Sequence, residues 1–479
     1  MSQFTFKSVT KSLAAISFAA IGASAEAQIR YQIVVPEVLG TPINQTSSHG
    51  NEINESGETL LNRITTFAIW RDNAITHIAS AASDYPASLS KVKAASINSF
   101  QEVVGTKTYR ISDESGSRFD TFPFYWDPSN GIADLSDLGS RSALGAGSTY
   151  LYGINNAGLS VGTTTEYTGE TPAGNTAFTW SFETGRTDIP SLSSYEGLSH
   201  TVPNAVNEKG LVVGTYRNFL GSHSVYTEQA FAYTPEAGNA KLADLAPEFF
   251  SSKTHITARD VNNSSTLVGE MDQQAYIFNL DTFEGKIIPA PSNSSLRSTK
   301  AHAINENNIV AGTASLANGA SPIVWSEELG TVDLLPHFSS ELEQLLPNGL
   351  AIHDTRITPK SINGKGQISA TLDTNSSFNR EVILEPTLDF QWTSMTQTSR
   401  GNVKGILYTH QKSQSAELIP AQSLGYQIAF ECSQDMTNWN DIDHEGSAIN
   451  HLETEQKIEL FVPFSDCLFV RPKLVQSQN

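Results

Sequence analysis

The chain has 479 residues, with 50 acidic and 30 basic side chains and a formal net charge of −20. This excess of negative charge argues against nucleic acid and anionic membrane surfaces as partners, because the overall field of the protein repels polyanions. The length is enough for one large domain or two ordinary ones.

The first 27 residues have the pattern of a signal peptide. Lys7 and Lys11 precede the apolar run Leu13–Ala23, and Ala25-Glu-Ala27 provides a small-x-small cleavage site. We therefore predict a secreted protein, extracellular or periplasmic, whose mature chain starts near Gln28. The alternative is a retained membrane anchor, although no later run is apolar enough to span a bilayer.

One short motif recurs along most of the chain at intervals of 43–58 residues. It consists of Ile or Val, then Asn, usually Gly three residues later and Gly seven residues later. Asn can bond its own backbone and Gly accepts a positive φ, so each copy predicts a tight hairpin turn. The seven turn residues are Asn54, Asn98, Asn155, Asn207, Asn262, Asn305 and Asn363.

Each copy continues with an apolar run ending in a large side chain, often followed by an Asp-Leu pair. Ala177-Phe-Thr-Trp180 followed by Asp188-Ile189 is one example. Each copy therefore predicts four short strands, two of which form the Asn hairpin. We expect the tryptophans of these runs to be core residues between repeats and not a platform for sugars. They are Trp70, Trp126, Trp180 and Trp325.

Seven units of four strands predict an all-β fold, a seven-bladed β-propeller over residues 28–388. The last copy lacks a fourth strand after Val382–Leu384, and Tyr31–Val35 has the character of one. We predict that this N-terminal strand completes the last blade and hides two sheet edges. The rival is an open solenoid. We also expect Val to destabilise more at Gly158 or Gly210, in the Asn turns, than at Gly238.

The whole pattern, Ile-Asn-x-x-Gly-x-Val-Val-Gly followed by Ala-Phe-x-Trp and Asp-Leu, resembles the HAF-type extracellular repeat proteins of bacteria. It is clearest over Gly153–Trp180, Ala205–Tyr233 and Ala301–Trp325. The resemblance covers about residues 30–386 and implies a secreted, propeller-like protein. It implies no catalytic residue, because that family offers no established activity to carry over.

The repeat stops near Asp389, and residues 389–479 keep a strand-like alternation. Gly425–Trp439 and the closing Phe469-Val-Arg471 resemble a small β-sandwich module at the C-termini of secreted bacterial proteins, whose role is accessory. Both cysteines, Cys432 and Cys467, lie here. In an oxidising compartment such a pair usually bonds, so we predict a disulfide; two free buried thiols are the alternative.

The connections on one side of the repeats are short and regular, whereas those on the other side vary widely, as in Thr106–Thr121, Thr215–Gln229 and Leu335–Thr358. Binding sites of repeat proteins usually lie on the side that carries the insertions. The candidate ligand face there comprises Tyr109, Arg110, His200, Tyr216, Arg217, His223, His255, Arg259, His353 and Arg356. We identify no confident catalytic residue, no metal-binding spacing and no cofactor motif.

Two functional classes remain. The first is a non-catalytic, secreted propeller, expected to be a monomer, that binds a glycan, a matrix component or a protein partner. The second is a polysaccharide lyase or glycoside hydrolase acting on acidic polysaccharide, with a Tyr or His base and a cation to neutralise a uronate. Convergence of the candidates in one deep cleft would favour the enzyme. For an anionic ligand, we expect Arg110, Arg217, Arg259 and Arg356 to supply a local basic cluster.

Overall fold

The computed structural model describes residues 28–38, 41–42, 52–80, 88–113, 116–192, 194–195, 198–222, 224–250, 253–292, 298–316, 319–347, 349–374, 379–388, 390–400, 403–412, 419–424, 426–433, 437, 440–441, 448–452, 457–463 and 469–476. The predicted signal peptide, His223 and Cys467 lie outside the described residues. The chain divides into a larger unit, Ile29–Thr387 with Ser415–Ile419, and a smaller one that includes Leu388–Gln414 and Pro420–Asn479.

The described residues are mainly strands. Up to Leu388 the strands are β1 (Gln28–Val34), β2 (Glu37–Val38), β3 (Thr41–Pro42), β4 (Thr59–Asn62), β5 (Thr66–Arg71), β6 (Ala74–Ser80), β7 (Ser88–Ile97), β8 (Val103–Asp113), β9 (Gly116–Asp127), β10 (Gly131–Asp134), β11 (Thr149–Ile154), β12 (Ser160–Thr168), β13 (Thr171–Ser181), β14 (Gly185–Ile189), β15 (Ser194–Tyr195), β16 (Leu198–Val206), β17 (Val212–Ser222), β18 (Val225–Thr234), β19 (Gly238–Lys241), β20 (Ile256–Val261), β21 (Thr266–Met271), β22 (Gln274–Asn279), β23 (Glu284–Ile287), β24 (Thr299–Ile304), β25 (Val310–Leu316), β26 (Gly319–Ser326), β27 (Gly330–Asp333), β28 (Thr355–Ile362), β29 (Ile368–Thr374) and β30 (Asn379–Leu388).

The later strands are β31 (Phe390–Arg400), β32 (Val403–Lys412), β33 (Ile419–Pro420), β34 (Tyr426–Ser433), β35 (Asn440–Asp441), β36 (Ala448–Leu452), β37 (Lys457–Pro463) and β38 (Phe469–Gln476). The helices are α1 (Leu242–Leu245), α2 (Pro247–Phe250) and α3 (Leu335–Leu345), with 3₁₀ turns at Ser136–Leu138, Ile352–Asp354 and Ala421–Leu424. None of the helices within the described ranges is long and apolar enough to cross a membrane.

The larger unit is all-β, and its strands group by the seven sequence repeats, numbered here by their turn Asn. The sheets of repeats 3 and 4 are joined into one nine-stranded sheet, because β13 pairs with β16. Repeat 1 contains β4–β6, and repeats 2, 3, 5 and 6 contain β7–β10, β11–β14, β20–β23 and β24–β27. Repeat 4 contains β16–β19, and repeat 7 contains β28–β30. The predicted four-stranded unit is therefore confirmed in repeats 2–6. In repeat 4 the predicted Asp244-Leu245 strand is wrong, because these residues lie in α1 and β19 ends at Lys241.

Three of the predicted long loops are strands. The described residues of the segments 106–121, 163–176 and 215–229 extend the hairpins β8–β9, β12–β13 and β17–β18, with shifts of register after Glu166 and Phe219. The prediction of loops was wrong because these segments alternate polar and apolar residues less strictly than the inner strands. Repeats 2–4 therefore carry longer central hairpins than repeats 5 and 6, where the matching strands have six to eight residues.

The N-terminal strand joins the last repeat, as predicted. The strand order of that sheet is β28-β29-β30-β1-β33, so β1 lies beside β30. The Tyr31 side chain is fully buried and its hydroxyl donates to the Gly366 carbonyl at 3.0 Å. Helix α3 also holds this strand, since Glu341 accepts bonds from Arg30 and from the Ile33 backbone N–H.

All seven Asn turns form, including the two that the sequence marked as weak. The residue three positions after each Asn has a positive φ even where it is Gln101 (64°) or Ser265 (56°). In each turn the Asn carboxamide oxygen accepts backbone N–H bonds from the residues two and four positions later, as Asn155 does from Ala157 (3.0 Å) and Leu159 (2.9 Å).

The same seven side chains also bond to one another's backbones in a cycle. Each Asn Nδ2 donates to the backbone carbonyl of the next turn Asn at 2.9–3.1 Å, from Asn54 round to Asn363. Asn363 then donates to the Asn54 carbonyl at 3.0 Å. A set of contacts that returns to its starting residue requires the first and last repeats to be neighbours.

Hydrophobic residues are buried between successive sheets. Leu60, Phe67 and Ile69 of repeat 1 pack against Val103 and Trp126 of repeat 2, and the later repeats continue this arrangement. The four tryptophans of the aromatic runs are 5–6 % exposed, so the prediction that they form core is confirmed.

The expected contrast among the three glycines disappears. Gly158, Gly210 and Gly238 have φ values of 74°, 79° and 75°, so Val is strained by a similar amount at all three. Gly238 also lies at a hairpin turn, between β18 and β19, and the sequence pattern gave no sign that this turn needs a positive φ.

The glycine seven residues after the Asn, which is present in repeats 2–6, has a different role. In repeats 2–7 the innermost strand contains a β-bulge, which leaves one residue unpaired three positions before the Asn. The bulge brings a backbone carbonyl over the neighbouring strand: a Cβ added to Gly162 would lie 2.1 Å from the Tyr150 oxygen. In repeats 2–6 glycine permits this approach without a shift of the backbone, whereas repeat 7 has Ala370 at this position.

The smaller unit contains two antiparallel sheets within its described residues, ordered β31-β32-β37-β36 and β35-β34-β38. Cys432 is buried on β34, and Arg471 and Lys473 of β38 pair with Glu431. Because Cys467 lies outside the described residues, the disulfide stays a prediction.

Candidate functional site

A cavity of about 560 Å³ is lined by residues from all seven repeats. Its volume lies within the range of small-molecule binding pockets, about 300–1,000 Å³. The residues that line it come from the innermost strands β7, β11, β16, β20, β24 and β28, together with Glu52 of repeat 1. We call it the central cavity.

Alternation along these strands decides which side chains face inwards. In β20, Ile256 and Ala258 are fully buried between sheets, whereas Thr257 and Arg259 are only half-buried. Counting back from each Asn, the inward positions are −7, −5 and −3, and position −3 is the bulge residue. The inward residues are Lys91, Lys93, Ala95, Ser148, Tyr150, Tyr152, His200, Val202, Asn204, His255, Thr257, Arg259, Ser298, Lys300, His302, Arg356, Thr358 and Lys360.

The charge of this set is opposite to that of the protein. It contains six lysines or arginines, three histidines and no acidic residue, in a chain of net charge −20. The bulge residues Tyr152, Asn204, Arg259, His302 and Lys360 all line the central cavity, as does Lys93 from position −5. The innermost strands therefore create a local basic site.

Most bulge side chains are held by the residue eight positions after the Asn, on the adjacent strand. The Tyr152 hydroxyl bonds to Thr163 at 2.9 Å, and His302 Nε2 bonds to Thr313 at 3.1 Å. In repeat 5 the pair is charged instead, with Arg259 lying 3.6 Å from the Glu270 carboxylate. This repeated contact fixes the direction of the side chains that line the cavity.

Two cavity lysines have no such partner. Neither Lys93 nor Lys360 makes a hydrogen bond or an ion pair among the described residues. Burial lowers the pKa of Lys93 to about 8, and the charges of Lys91 and Lys360 act in the same direction. Burial also lowers the pKa of Lys360, against the opposing effect of Asp373. Repulsion from neighbouring cations thus contributes to the lowered pKa of both lysines.

Beyond the basic positions, at position −2, the cavity is lined by two carboxyl groups. Burial raises the pKa of Glu52 to about 7, although its Oε2 accepts the Ile97 N–H at 2.9 Å. Burial likewise raises the pKa of Asp260 to about 6, and Asp260 accepts the Ile304 N–H at 2.9 Å. Acidic and basic groups are thus segregated along the strands that line the cavity.

The raised pKa of Glu52 predicts a pH-dependent stability. Because the folded pKa of about 7 lies above the ordinary 4.5, protonated Glu52 favours the folded state below pH 4.5. That contribution is lost as the pH rises through 7. Glu52→Gln is therefore expected to be more stable than the unmodified protein at pH 8, on the order of 1–3 kcal/mol, and equally stable at pH 4. Urea denaturation at both pH values measures this.

Glu284→Gln is the control for that experiment, since Glu284 is exposed at the start of β23. A Glu52→Gln variant that gains no stability at pH 8 relative to pH 4 would contradict the account of Glu52 as a buried carboxyl in the cavity.

Four of the candidate residues lie on these innermost strands or, in the case of His255, directly before one. Arg259 lines the cavity, and His200, His255 and Arg356 occupy the equivalent position −7 of repeats 4, 5 and 7. Burial lowers the pKa of His200, and the charge of Arg217 lowers it further. These candidates therefore share one register of the strands.

The other candidates lie elsewhere. Tyr109 and Tyr216 are 1 % and 2 % exposed, so their rings belong to the core. Arg110 is exposed on β8 and bonds to Ser117, whereas the Arg217 guanidinium stacks on the Tyr226 ring at 4.2 Å. His353 is exposed in a 3₁₀ turn beside Asp354. The four arginines expected to cluster do not form a single set of contacts.

Sequence reasoning missed Lys93, Lys300, His302 and Lys360. The sequence does contain a pattern that identifies them, since each lies three or five residues before a turn Asn. Functional residues were expected in the variable connections, and the innermost strands were expected to be framework. Reading alternate positions back from each Asn would have found all four.

The cavity groups suit binding better than bond cleavage. Burial and neighbouring cations lower the pKa of His302 to about 3, so its imidazole is neutral, and burial raises the pKa of Tyr152 to about 12. A neutral tyrosine of such high pKa is a poor general base. Among the described residues, no group of three or more His, Cys, Asp or Glu side chains is arranged to hold a metal ion.

No protein-family model and no curated protein matches the chain. Several solved structures are similar in fold. Pyrococcus horikoshii acylaminoacyl peptidase (orthorhombic form) has 10% identity and a TM-score of 0.41, over 80% of this chain and 60% of that one. Prolyl oligopeptidase B from Galerina marginata (apo) has 10% identity and a TM-score of 0.41, over 82% and 57%.

The β-propeller domain of the Trilobed protease from Pyrococcus furiosus is also similar, with 9% identity and a TM-score of 0.30, over 63% of this chain and 96% of that domain. The chain spans about three fifths of the length of the two peptidases. At these identities and TM-scores the comparisons carry no argument about the function of this chain.

Proposed function

We propose that residues 28–387 form a closed propeller of seven blades, one for each repeat. The cycle of seven Asn side-chain bonds supports this, because the bond from Asn363 to Asn54 joins the last repeat to the first. The pairing of β1 with β30 supports it independently, since the chain start then completes the last sheet. Under this proposal the central cavity lies on the propeller axis.

This propeller belongs to a secreted, non-catalytic binding protein, and its central cavity holds the anionic group of an acidic glycan. One observation carries this proposal: the inward positions of the innermost strands hold six lysines or arginines and no acid in a protein of net charge −20. Burying a cation without an anionic partner costs free energy. A ligand that supplies the missing anion would explain why Lys93 and Lys360 form no ion pair among the described residues.

Secretion, the relationship to the HAF-type repeat proteins and a Cys432–Cys467 disulfide belong to the same proposal. The smaller unit acts as an accessory module that the disulfide stabilises. A lyase or glycoside hydrolase is the alternative, and the neutral His302 and protonated Tyr152 argue against it.

The direct test is the double variant Lys93→Met, Lys360→Met with a hexagalacturonate probe. We expect its affinity to fall at least about 30-fold, because hydrogen bonds to charged groups contribute about 1.5–3 kcal/mol each. Titration calorimetry measures the affinity, and the absorbance of unsaturated uronate reports any lyase activity. Binding should also weaken with added salt.

The control variant is Lys209→Met, Lys365→Met. It makes the same change in net charge, but both lysines lie in Asn turns, two residues after Asn207 and Asn363. If both double variants lose affinity equally, the interaction depends on overall charge and the cavity is not the site. Release of unsaturated products would instead identify a lyase.

A further inference from the structure

One residue breaks the pattern of the cavity framework. Eight positions after the turn Asn, five of the seven repeats have threonine and repeat 1 has Asn62; repeat 5 alone has an acid, Glu270. The five threonines are Thr106, Thr163, Thr215, Thr313 and Thr371. Threonine at this position is therefore compatible with the backbone of the fold, and the carboxylate is a local addition.

The Glu270 carboxylate lies between two of the inward cations. It is 3.1 Å from Lys300 Nζ and 3.6 Å from an Arg259 terminal nitrogen, and its side chain is 15 % exposed. The two cations belong to successive repeats, 5 and 6, so Glu270 bridges two innermost strands. Lys93 and Lys360, by contrast, have no bound anion of their own.

The Arg259 guanidinium still has an unused donor. Its Nε is buried and has no hydrogen-bond acceptor. Glu270 therefore neutralises the charge of Arg259 without satisfying all of its donors. An anion with more acceptor oxygens could bond to the guanidinium more completely.

We propose that Glu270 is a specificity-determining residue that acts as an internal competitor for a second anion subsite between Arg259 and Lys300. The inference rests on the proposed anion-binding function. Because the Glu270 carboxylate occupies this subsite, the cavity accepts a glycan with one carboxylate per sugar. It disfavours a glycan with several charges per sugar.

The physical reason is repulsion at short range. A second anionic group on the ligand can reach Arg259 and Lys300 only by approaching the Glu270 carboxylate. Like charges brought together in a partly desolvated site cost several kcal/mol. A single anionic group bound by Lys93 and Lys360 avoids that contact, because those lysines are not paired with Glu270.

Glu270→Thr tests this directly, since it installs the residue that other repeats have at this position. We expect its affinity for a dextran sulfate oligomer with two or more sulfates per sugar to rise at least about tenfold. The affinity for hexagalacturonate should change by less than about threefold. Glu284→Thr, an equal change in charge on the exposed part of the same repeat, should alter neither.

The two proposals fail in different ways. If the unmodified protein binds neither probe, the proposed function is wrong and the inference falls with it. If it binds hexagalacturonate and Glu270→Thr changes the two affinities by the same factor, or changes neither, Glu270 does not set specificity. A melting curve checks that the variant is folded, and Glu270→Gln, which keeps the side-chain volume, serves as a second variant with the same expected direction.

Discussion

Replacing Asn155 with Ala is expected to lower the free energy of unfolding of the larger unit by about 3–6 kcal/mol. The buried carboxamide donates to the Asn207 carbonyl at 2.9 Å and accepts the backbone N–H groups of Ala157 and Leu159. Alanine leaves all three partners without their bond, and each unsatisfied buried group costs about 1–3 kcal/mol. Chemical denaturation of the purified protein measures the difference.

Two further variants separate the cycle from the turn. Asn363→Ala acts at the contact between the last and first repeats, and removes the bond to Asn54, the two turn bonds and a bond to Gln367. In a closed ring it should destabilise at least as much as Asn155→Ala, whereas an open solenoid would lack the bond to Asn54 and lose less stability. Asn130→Ala is the control, because its exposed side chain bonds only to Asp127, and it should change stability by less than about 0.5 kcal/mol. A smaller loss of stability for Asn363→Ala than for Asn155→Ala would contradict ring closure.

The turns and the strand that closes the last sheet were predictable, since both depend on local chemistry. An Asn that bonds its own backbone defines a turn wherever it occurs, and a positive φ at Gln101 or Ser265 follows from that bond even without glycine. The pairing of β1 with β30 followed from counting strands in the last repeat. Neither step required knowledge of distant contacts.

The bond from each Asn Nδ2 to the next repeat was not predictable from the motif. One amide has enough donors and acceptors for both its own turn and a neighbour, but the sequence does not state where the neighbour lies. The intervals of 43–58 residues between the asparagines gave no distance in space.

The site was missed for a related reason. The inward residues alternate along each innermost strand, but alternation alone does not show which face of the strand points towards the cavity. In repeats 2–6 the glycine seven residues after the Asn marks the bulge, since the crossing carbonyl leaves no room for a Cβ. Once that spacing is understood, Lys93 and His302 can be assigned to the cavity from the sequence, whereas repeat 7, which contains Lys360, has Ala370 in place of the glycine.

Replacing Tyr31 with Ala is expected to destabilise the larger unit by about 3–5 kcal/mol, because it leaves a large cavity in the core. The ring is fully buried, and its hydroxyl donates to the Gly366 carbonyl. Tyr31→Phe removes only that bond and should lose about 1 kcal/mol. Gln32→Ala, on the same strand but half-buried, is the control and loses only a side-chain bond to Glu385.

Removal of the whole strand extends the same test. A chain that begins at residue 36 leaves the edge of β30 unpaired, and unpaired edges associate with other chains. We expect this truncated protein to aggregate on heating, as followed by light scattering, and to bind an added peptide of residues 28–36 that restores solubility. If the truncated protein has an unchanged Tm and does not bind the peptide, β1 is not required to complete the sheet of the last repeat.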